Sequence, residues 1–383
     1  MRSQASSKRA TRIALVGCGY VADFYVGTIL SHPELEIAAV TDKIPERAER
    51  LASYYSLPIY PSPKAVLDDR SIQIVVNLTD PDSHYAVSRE CLESDKHVYS
   101  EKPLATTWDG CKSLVELAER RGLYLASAPC ITLGETARTI ARAIREGEIG
   151  QVLLAYAELD EGFLPGKPYK DWRSKSGSSW PWQNEFQVGC TLEHAAYQLS
   201  LLAAFFGPAE SVTAFSSSLM PEHPAPDLSV ASIRYVSGVV ARLTCSILAP
   251  KNQRLTIVGD KGVLWTQRCW DYLSIVRIQH YGILSRITDR LPMLRDIPVI
   301  GGRRYPHAES RMDRRYRRTH AMDFARGIVE MANAVTDGRV SRLPARFCLH
   351  INELALAIHS SGENSGTYRV SSTFDPAELI VPD

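Results

Sequence analysis

Residues 12 to 42 constrain what this chain can fold into more than any other stretch. Ile13 to Val16 is an apolar run that stops at glycine, as a buried parallel strand does. In the turn that follows, Gly17-Cys18-Gly19-Tyr20-Val21-Ala22, Gly17 permits a tight bend and Gly19 has no side chain to hold a pyrophosphate off the backbone. Ala22 stands at the third, close-packing position. The helix beyond aims its unpaired amides and positive dipole end at phosphates, so Tyr20 and Val21, at its entry, join the expected cofactor contacts. A second apolar run, Ile37 to Val40, leads to Asp42, about 20 residues past the loop, where a carboxylate accepts from a ribose 2′-hydroxyl. Asp42 would repel a 2′-phosphate, which favours NAD over NADP, although Lys43 next to it pulls the other way. A glycine turn alone says little. Strand before, helix after and acid at the right distance make it a dinucleotide site.

The alternation continues beyond Asp42. Leu57 to Tyr60, Ile72 to Leu78, His97 to Ser100 and Tyr124 to Ala128 read as further strands, with helices opened by Pro45 and Pro63. Six strands alternating with helices describe a doubly wound parallel sheet over residues 12–130. Residues 1–11, polar and basic, read as a disordered tail. From Val152 the texture changes. Residues 152–158, 211–217, 229–236, 239–248 and 254–258 read as strands, with a helix from Cys190 to Phe206 among them. Two late helices, 322–335 and 347–360, carry apolar stripes expected to pack on that sheet. Residues 131–383 thus form a second α/β domain with a large, mostly antiparallel open sheet. Its open face suits a homo-oligomer, a dimer or tetramer.

At 383 residues the chain can bury two cores. A net charge of +1 supplies no global basic field for nucleic acid. The most apolar helical stretch, Leu199 to Phe206, is far too short to span a bilayer. The eight cysteines form no C-x-x-C pair and sit singly in apolar surroundings, as buried thiols in a reducing compartment do, not as disulfides or metal ligands. No apolar segment follows the basic start, so no signal peptide is visible and a cytoplasmic location is expected. Residues 268–318 fit worst, with twelve arginines and few acids. They read as a solvated loop or subunit contact, or else as a patch for a phosphorylated or carboxylated substrate.

Glu101-Lys102-Pro103 follows a strand at its carboxyl end, where open α/β sheets place ligands. An ammonium there would meet nicotinamide and a substrate hydroxyl, lower that hydroxyl's pKa and stabilise the developing alkoxide. With the glycine loop, Asp42, Asn77-Leu78-Thr79-Asp80-Pro81-Asp82-Ser83-His84, Glu101-Lys102-Pro103 and Glu148-Ile149-Gly150 in order, the chain resembles the glucose–fructose oxidoreductase / inositol dehydrogenase / rhizopine-catabolism (Gfo/Idh/MocA) family over nearly its whole length. The resemblance implies a Rossmann domain followed by an open-sheet domain, and hydride transfer between NAD(P) and a carbinol carbon of a sugar or cyclitol. It places Thr79, Pro81, Glu101 and Lys102 at the cofactor, and His84 as a buttress of the cofactor loop.

Many relatives carry D-x-G-x-H-x-x-D in the helix at 190–206. Counting back from Gly207, this chain has Glu193 for the first acid, Tyr197 for the histidine and Ser200 for the last aspartate. Glu193 and Tyr197 are four apart, on one face of a regular helix. That assigns Tyr197 to proton transfer, as in tyrosine-using members, and Glu193 to a substrate hydroxyl. His194, one step round the helix, is the rival, read either as a substrate contact or as a satisfied core histidine. Lys170, Trp172 and Arg173, in a tryptophan-rich stretch, suit a sugar ring with a charged appendage, or else a satellite core. The arginine-rich segment tilts the substrate towards an anionic or nucleotide-linked sugar. Two other functions stay open on the same resemblance: glycoside cleavage by transient C3 oxidation with NAD recycled in place, and a sensor without turnover. Lys102 is present, which disfavours the sensor.

Overall fold

The structure is a computed structural model describing residues 10–291, 293, 302–307, 321–362 and 366–379. It divides into two compact units. One takes Met1–Ala128, Lys170–Pro181 and Phe324–Ala345, and the other takes Pro129–Tyr169, Trp182–Asp323 and Arg346–Asp383.

Unit one runs β1 (Thr11–Val16), α1 (Ala22–Ile29), β2 (Leu35–Thr41), α2 (Pro45–Tyr55), α3 (Pro63–Asp68), β3 (Ile74–Asn77), α4 (Pro81–Glu93), β4 (His97–Ser100), α5 (Trp108–Arg121) and β5 (Leu125–Ser127). The five strands are parallel in the order β2-β1-β3-β4-β5. Their apolar runs are buried on both faces, with Ile13, Leu15, Ile74, Val76 and Val98 fully enclosed. The order reverses at β1, so the turns after β1 and β3 flank a crevice at the carboxyl edge. The expected strand at Leu57 to Tyr60 is only an isolated bridge between Ile59 and Val40. Pro58 has no N–H to donate, and the ladder stops at Val40 N–Pro58 O and Tyr60 N–Val40 O.

Unit two contains α6 (Glu135–Arg145), β6 (Val152–Asp160), α7 (Trp182–Val188), a π-helical turn (Thr191–Ala195), α8 (Ala196–Phe206), β7 (Ala209–Ser217), β8 (Leu228–Tyr235), β9 (Val240–Ser246), β10 (Leu255–Gly259), β11 (Gly262–Thr266), β12 (Val276–His280), α9 (Ile283–Arg290) and β13 (Arg303–Tyr305). After α10 (Arg326–Asp337), α11 (Ala345–His359) leads to β14 (Thr367–Arg369). The nine strands order as β13-β12-β11-β10-β6-β9-β8-β7-β14. In this sheet, among the described strands, only β6 and β9 pair in parallel. One face leaves Tyr156, Phe215, Val230 and Val240 exposed.

Several segments depart from the sequence reading. The helix α10 belongs to unit one, not to the second sheet, because Gly327 lets its backbone approach the Tyr99 ring. Residues 170–181 also belong to unit one. The arginine-rich segment is partly regular. In β12, Val276 and Ile278 are buried and Arg277 is the outward half of a strand alternation. Arg303 pairs with Glu148, Arg268 Nε lies 2.9 Å from Asp271, and Arg277 donates to the Gly302 carbonyl at 3.1 Å. Arg295, Arg311, Arg314, Arg315, Arg317 and Arg318 lie outside the described residues, as does most of the expected tail. Strand β1 begins at Thr11, inside that tail's expected bounds. No helix among the described residues is long and apolar enough to cross a membrane, and all eight cysteines are buried free thiols.

Candidate functional site

In unit one the glycine turn is fixed by its neighbours. Gly17 has φ +98°, and a Cβ there would lie 2.5 Å from the Leu78 carbonyl carbon, so any side chain is excluded by backbone of the β3 turn. Around Gly19 the space is open, and beyond its chain neighbours no described protein atom lies within 4 Å of where its Cβ would stand. That cradle suits a phosphate backed by the first turn of α1. Ala22 is fully buried, and Tyr20 and Val21 are half-buried at the helix entry. Asp42 accepts from Cys18 N at 2.7 Å and from Ile44 N at 2.8 Å, which aligns its carboxylate at the tip of β2. Burial and the Asp42 charge push the Cys18 thiol up to about 12, against the pull of Arg50 and Arg47. Acid and guanidinium therefore share this corner. Lys43 lies 3.8 Å from Asp80 and is mostly exposed.

The turns after β3 and β4 are tied together by His84. Its Nδ1 lies 2.7 Å from the Pro103 carbonyl and its Nε2 2.9 Å from the Thr79 carbonyl. Burial holds His84 below the ordinary imidazole range, against the Pro103 carbonyl. Asn77 Oδ1 receives the Thr79 hydroxyl at 2.7 Å, and Pro81 opens α4. Glu101, 6% exposed, accepts from Tyr25 OH at 2.6 Å and from Lys102 N at 3.1 Å. That clamp fixes the backbone of Lys102, which is half-buried at the carboxyl end of β4.

The tryptophan-rich stretch forms a small hairpin on unit one. Trp180 N donates to Trp172 O, Arg173 bridges Ser179, and the two indoles lie 5.2 Å apart. Arg173 is exposed and its guanidinium donates to the Lys170 and Trp172 carbonyls. Lys170 is exposed as well.

In unit two, Glu193 and His194 lie within the π-helical turn and Tyr197 in the first turn of α8. A turn closed by i→i+5 bonds does not advance by the regular helix step, so the expected face-sharing of Glu193 and Tyr197 does not follow from their spacing. Such turns concentrate at functional sites. Gly189 enters this turn at φ +85°, and a Cβ there would lie 2.9 Å from both Ala225 and the Pro226 carbonyl. Glu193 is 4% exposed, and His194 and Tyr197 are half-buried. The Tyr197 ring meets Trp270 edge-on at 5.2 Å, and Lys251 Nζ lies 5.4 Å from the Trp270 ring centre. Lys251 also lies 3.4 Å from Glu161, whose other oxygen accepts from Gln253 at 2.8 Å. Burial raises the Glu161 carboxyl, but His194, Lys251 and Gln253 outweigh it and hold it below the ordinary range. Tyr197, Trp270, Lys251, Glu161 and His194 thus form one chain of neighbours. Glu161, Lys251 and Trp270 were absent from the sequence reading. Their convergence follows from the parallel β6–β9 pair, which puts both carboxyl ends at one edge of the sheet, beside the start of antiparallel β10.

A model of an oxidoreductase family with an NAD-binding Rossmann fold matches residues 11–128, and the Gfo/Idh/MocA C-terminal domain matches residues 137–265. This chain belongs to the Gfo/Idh/MocA family. It is similar to trans-1,2-dihydrobenzene-1,2-diol dehydrogenase of Mus musculus, 23% identical over 272 residues, 70% of this chain and 78% of that protein. It is also similar to dTDP-3,4-didehydro-2,6-dideoxy-alpha-D-glucose 3-reductase of Streptomyces antibioticus, 28% identical over 247 residues, 64% of this chain and 71% of that protein. The fold matches the WlbA dehydrogenase of Bordetella pertussis, solved with NADH and UDP-GlcNAcA, at TM-score 0.73 and 20% identity, covering 95% of this chain and 99% of that one. The chain is accordingly an NAD(P)-dependent oxidoreductase.

One titrating group stands out in this family member. Asp160, at the end of β6, is 6% exposed, and its Oδ1 finds no donor among the described residues. Burial, then Glu158 and Glu161, push its carboxyl up to about 6. Unfolded, it titrates at about 3.9. Between those values the folded protein keeps a proton that the unfolded chain has lost, so stability falls as pH rises through that window. Asp160→Asn is expected to exceed wild type in stability by about 1–3 kcal/mol at pH 8, with the gain gone near pH 4. Denaturant melts at both pH values check this, and a pH-independent difference would refute it.

Proposed function

We propose that this protein transfers a hydride between NAD and a carbinol carbon of a nucleotide-linked sugar, as a dehydrogenase or ketoreductase. The observation that carries the reading is Lys102, held at the carboxyl end of β4 by the buried Glu101 clamp. Bound nicotinamide supplies the hydride acceptor or donor. Gly17, Gly19, Tyr20, Val21 and Ala22 hold its pyrophosphate side, and Asp42 accepts from the adenosine 2′-hydroxyl, which favours NAD over NADP. Thr79, Pro81 and His84 shape the turn beside it. Lys102 stabilises the substrate oxygen as alkoxide, and Tyr197 exchanges the proton at that oxygen. Glu193 accepts from a neighbouring hydroxyl. His194, with Glu161, Lys251 and Trp270, lines the sugar subsite, where an aromatic face and acceptor oxygens suit a polyol ring. The relatives' dTDP- and UDP-linked compounds support the nucleotide-linked class. The exposed apolar residues of the second sheet favour self-association.

The test has two steps. Denaturing the purified protein and weighing what it releases is expected to yield NAD(H), with any co-released sugar naming the substrate class. Fluorescence titration is then expected to show NADH binding at least about tenfold tighter than NADPH, the scale of one lost charge-assisted bond. A preference for NADPH would overturn the assignment of Asp42. Net hydrolysis of a glycoside with no change in nicotinamide redox state would replace the reaction.

A further inference from the structure

The Trp172–Trp180 hairpin is pinned to the glycine turn through its tip. Ser176 N and Ser176 Oγ donate to the two oxygens of Asp23 at 2.9 and 2.7 Å, and Tyr55 OH adds a third donor at 3.1 Å. Asp23 is 3% exposed and stands in the first turn of α1, the helix that follows the glycine turn. Beside it, Arg50 donates to Ser178 Oγ at 2.8 Å, and Ser178 Oγ lies 3.5 Å from the carbonyl of Cys18, between the two glycines. Ser176 and Ser178 are buried, while Arg173, Lys175, Gly177 and Ser179 around them are exposed. The tip itself closes through Ser174 N–Ser178 O and Gly177 N–Ser174 O, with Gly177 at φ +92°. The turn between the indoles therefore has no apolar core of its own. Polar bonds to α1, α2 and the glycine turn hold it down, and segments held this way open most readily.

We propose that this hairpin is a latch over the dinucleotide site, with Asp23 and Arg50 as its positioning residues, and that unlatching limits release of the cofactor. The proposal rests on the dinucleotide reading above. A dinucleotide seated on the glycine turn lies against the Cys18 backbone that Ser178 braces and the first turn of α1 that Ser176 holds through Asp23. Breaking those bonds frees the tip without removing any atom assigned to the cofactor. Because these bonds join the hairpin to α1, α2 and the glycine turn, they act on cofactor exchange and not on the reacting carbon.

The test is NADH release, followed by stopped-flow fluorescence with excess NAD as displacer. In Ser176→Ala/Ser178→Ala the release rate is expected to rise at least about tenfold, the scale of one or two lost bonds to charged groups, with the amplitude of binding retained. Asp23→Asn is expected to act in the same direction. The serine variant keeps the test valid if the buried Asp23 change unfolds α1. In hydrogen exchange, NADH is expected to protect the amides of residues 174–178 in wild type and to lose that protection in the serine variant. A merely structural hairpin would not show this. Unchanged release with NADH still bound would overturn the latch and leave the cofactor reading standing. Failure of wild type to bind either nicotinamide cofactor would overturn both.

Discussion

Lys102→Met is expected to lower turnover by about 10²–10⁴-fold while NADH affinity stays within about threefold. The substitution keeps the aliphatic stem and removes the ammonium, so little packing changes. The backbone of Lys102 is held through its own N–H by Glu101, which Tyr25 holds in turn, and methionine leaves that clamp intact. On the proposed mechanism, what is lost is the charge that favours the alkoxide form of the substrate oxygen, an interaction stronger in the transition state than in the ground state. The loss should therefore appear in kcat more than in KM. Steady-state kinetics beside an NADH titration check it. Near-normal kcat would remove Lys102 from the chemistry, and a collapsed NADH affinity would make it a binding residue.

Tyr197→Phe is expected to cost about 10²–10⁴-fold in kcat, the range for a positioned acid or base. The ring's edge-on contact with Trp270 at 5.2 Å survives the change, so thermal stability should hardly move. Only the hydroxyl disappears, and with it the limb of the kcat–pH profile that the phenol contributes. If turnover and profile both survive, the proton moves through another group. His194, beside Glu161, is then the residue to replace next.

The dinucleotide unit was largely legible in the amino-acid sequence because its signals are local. A strand ending at Gly17, a helix from Ala22 and an acid at Asp42 lie within one short stretch, and each has a backbone reason visible without partners. The packing of Gly17 against Leu78 shows that even this turn is completed by a distant strand. The Leu57 to Tyr60 segment falls short of a strand because Pro58 lacks the N–H that would extend the ladder. The arginine-rich segment departs from its reading in the opposite direction. Arg277, half-buried on the outward side of β12, belongs to an ordinary strand alternation that the surrounding arginines hid.

The unit-two residues were less legible. Helix periodicity assumes a constant step, and the π-helical turn at Thr191–Ala195 breaks it just where Glu193 and His194 stand. Glu161, Lys251 and Trp270 lie about 20 to 110 residues apart and share no motif, so only the β6–β9–β10 pairing gathers them. Asp23 and Ser176 are 153 residues apart, and the carboxylate reads in sequence as an ordinary first-turn acid. The sequence by itself determined the family, the parallel sheet, the glycine cradle and the Glu101-Lys102-Pro103 element, because short-range backbone geometry dictates them. Tertiary structure alone decided which unit residues 170–181 and α10 join, and which charges meet at the end of β6. Those outcomes depend on hydrogen bonds and close approaches between segments that the chain order separates.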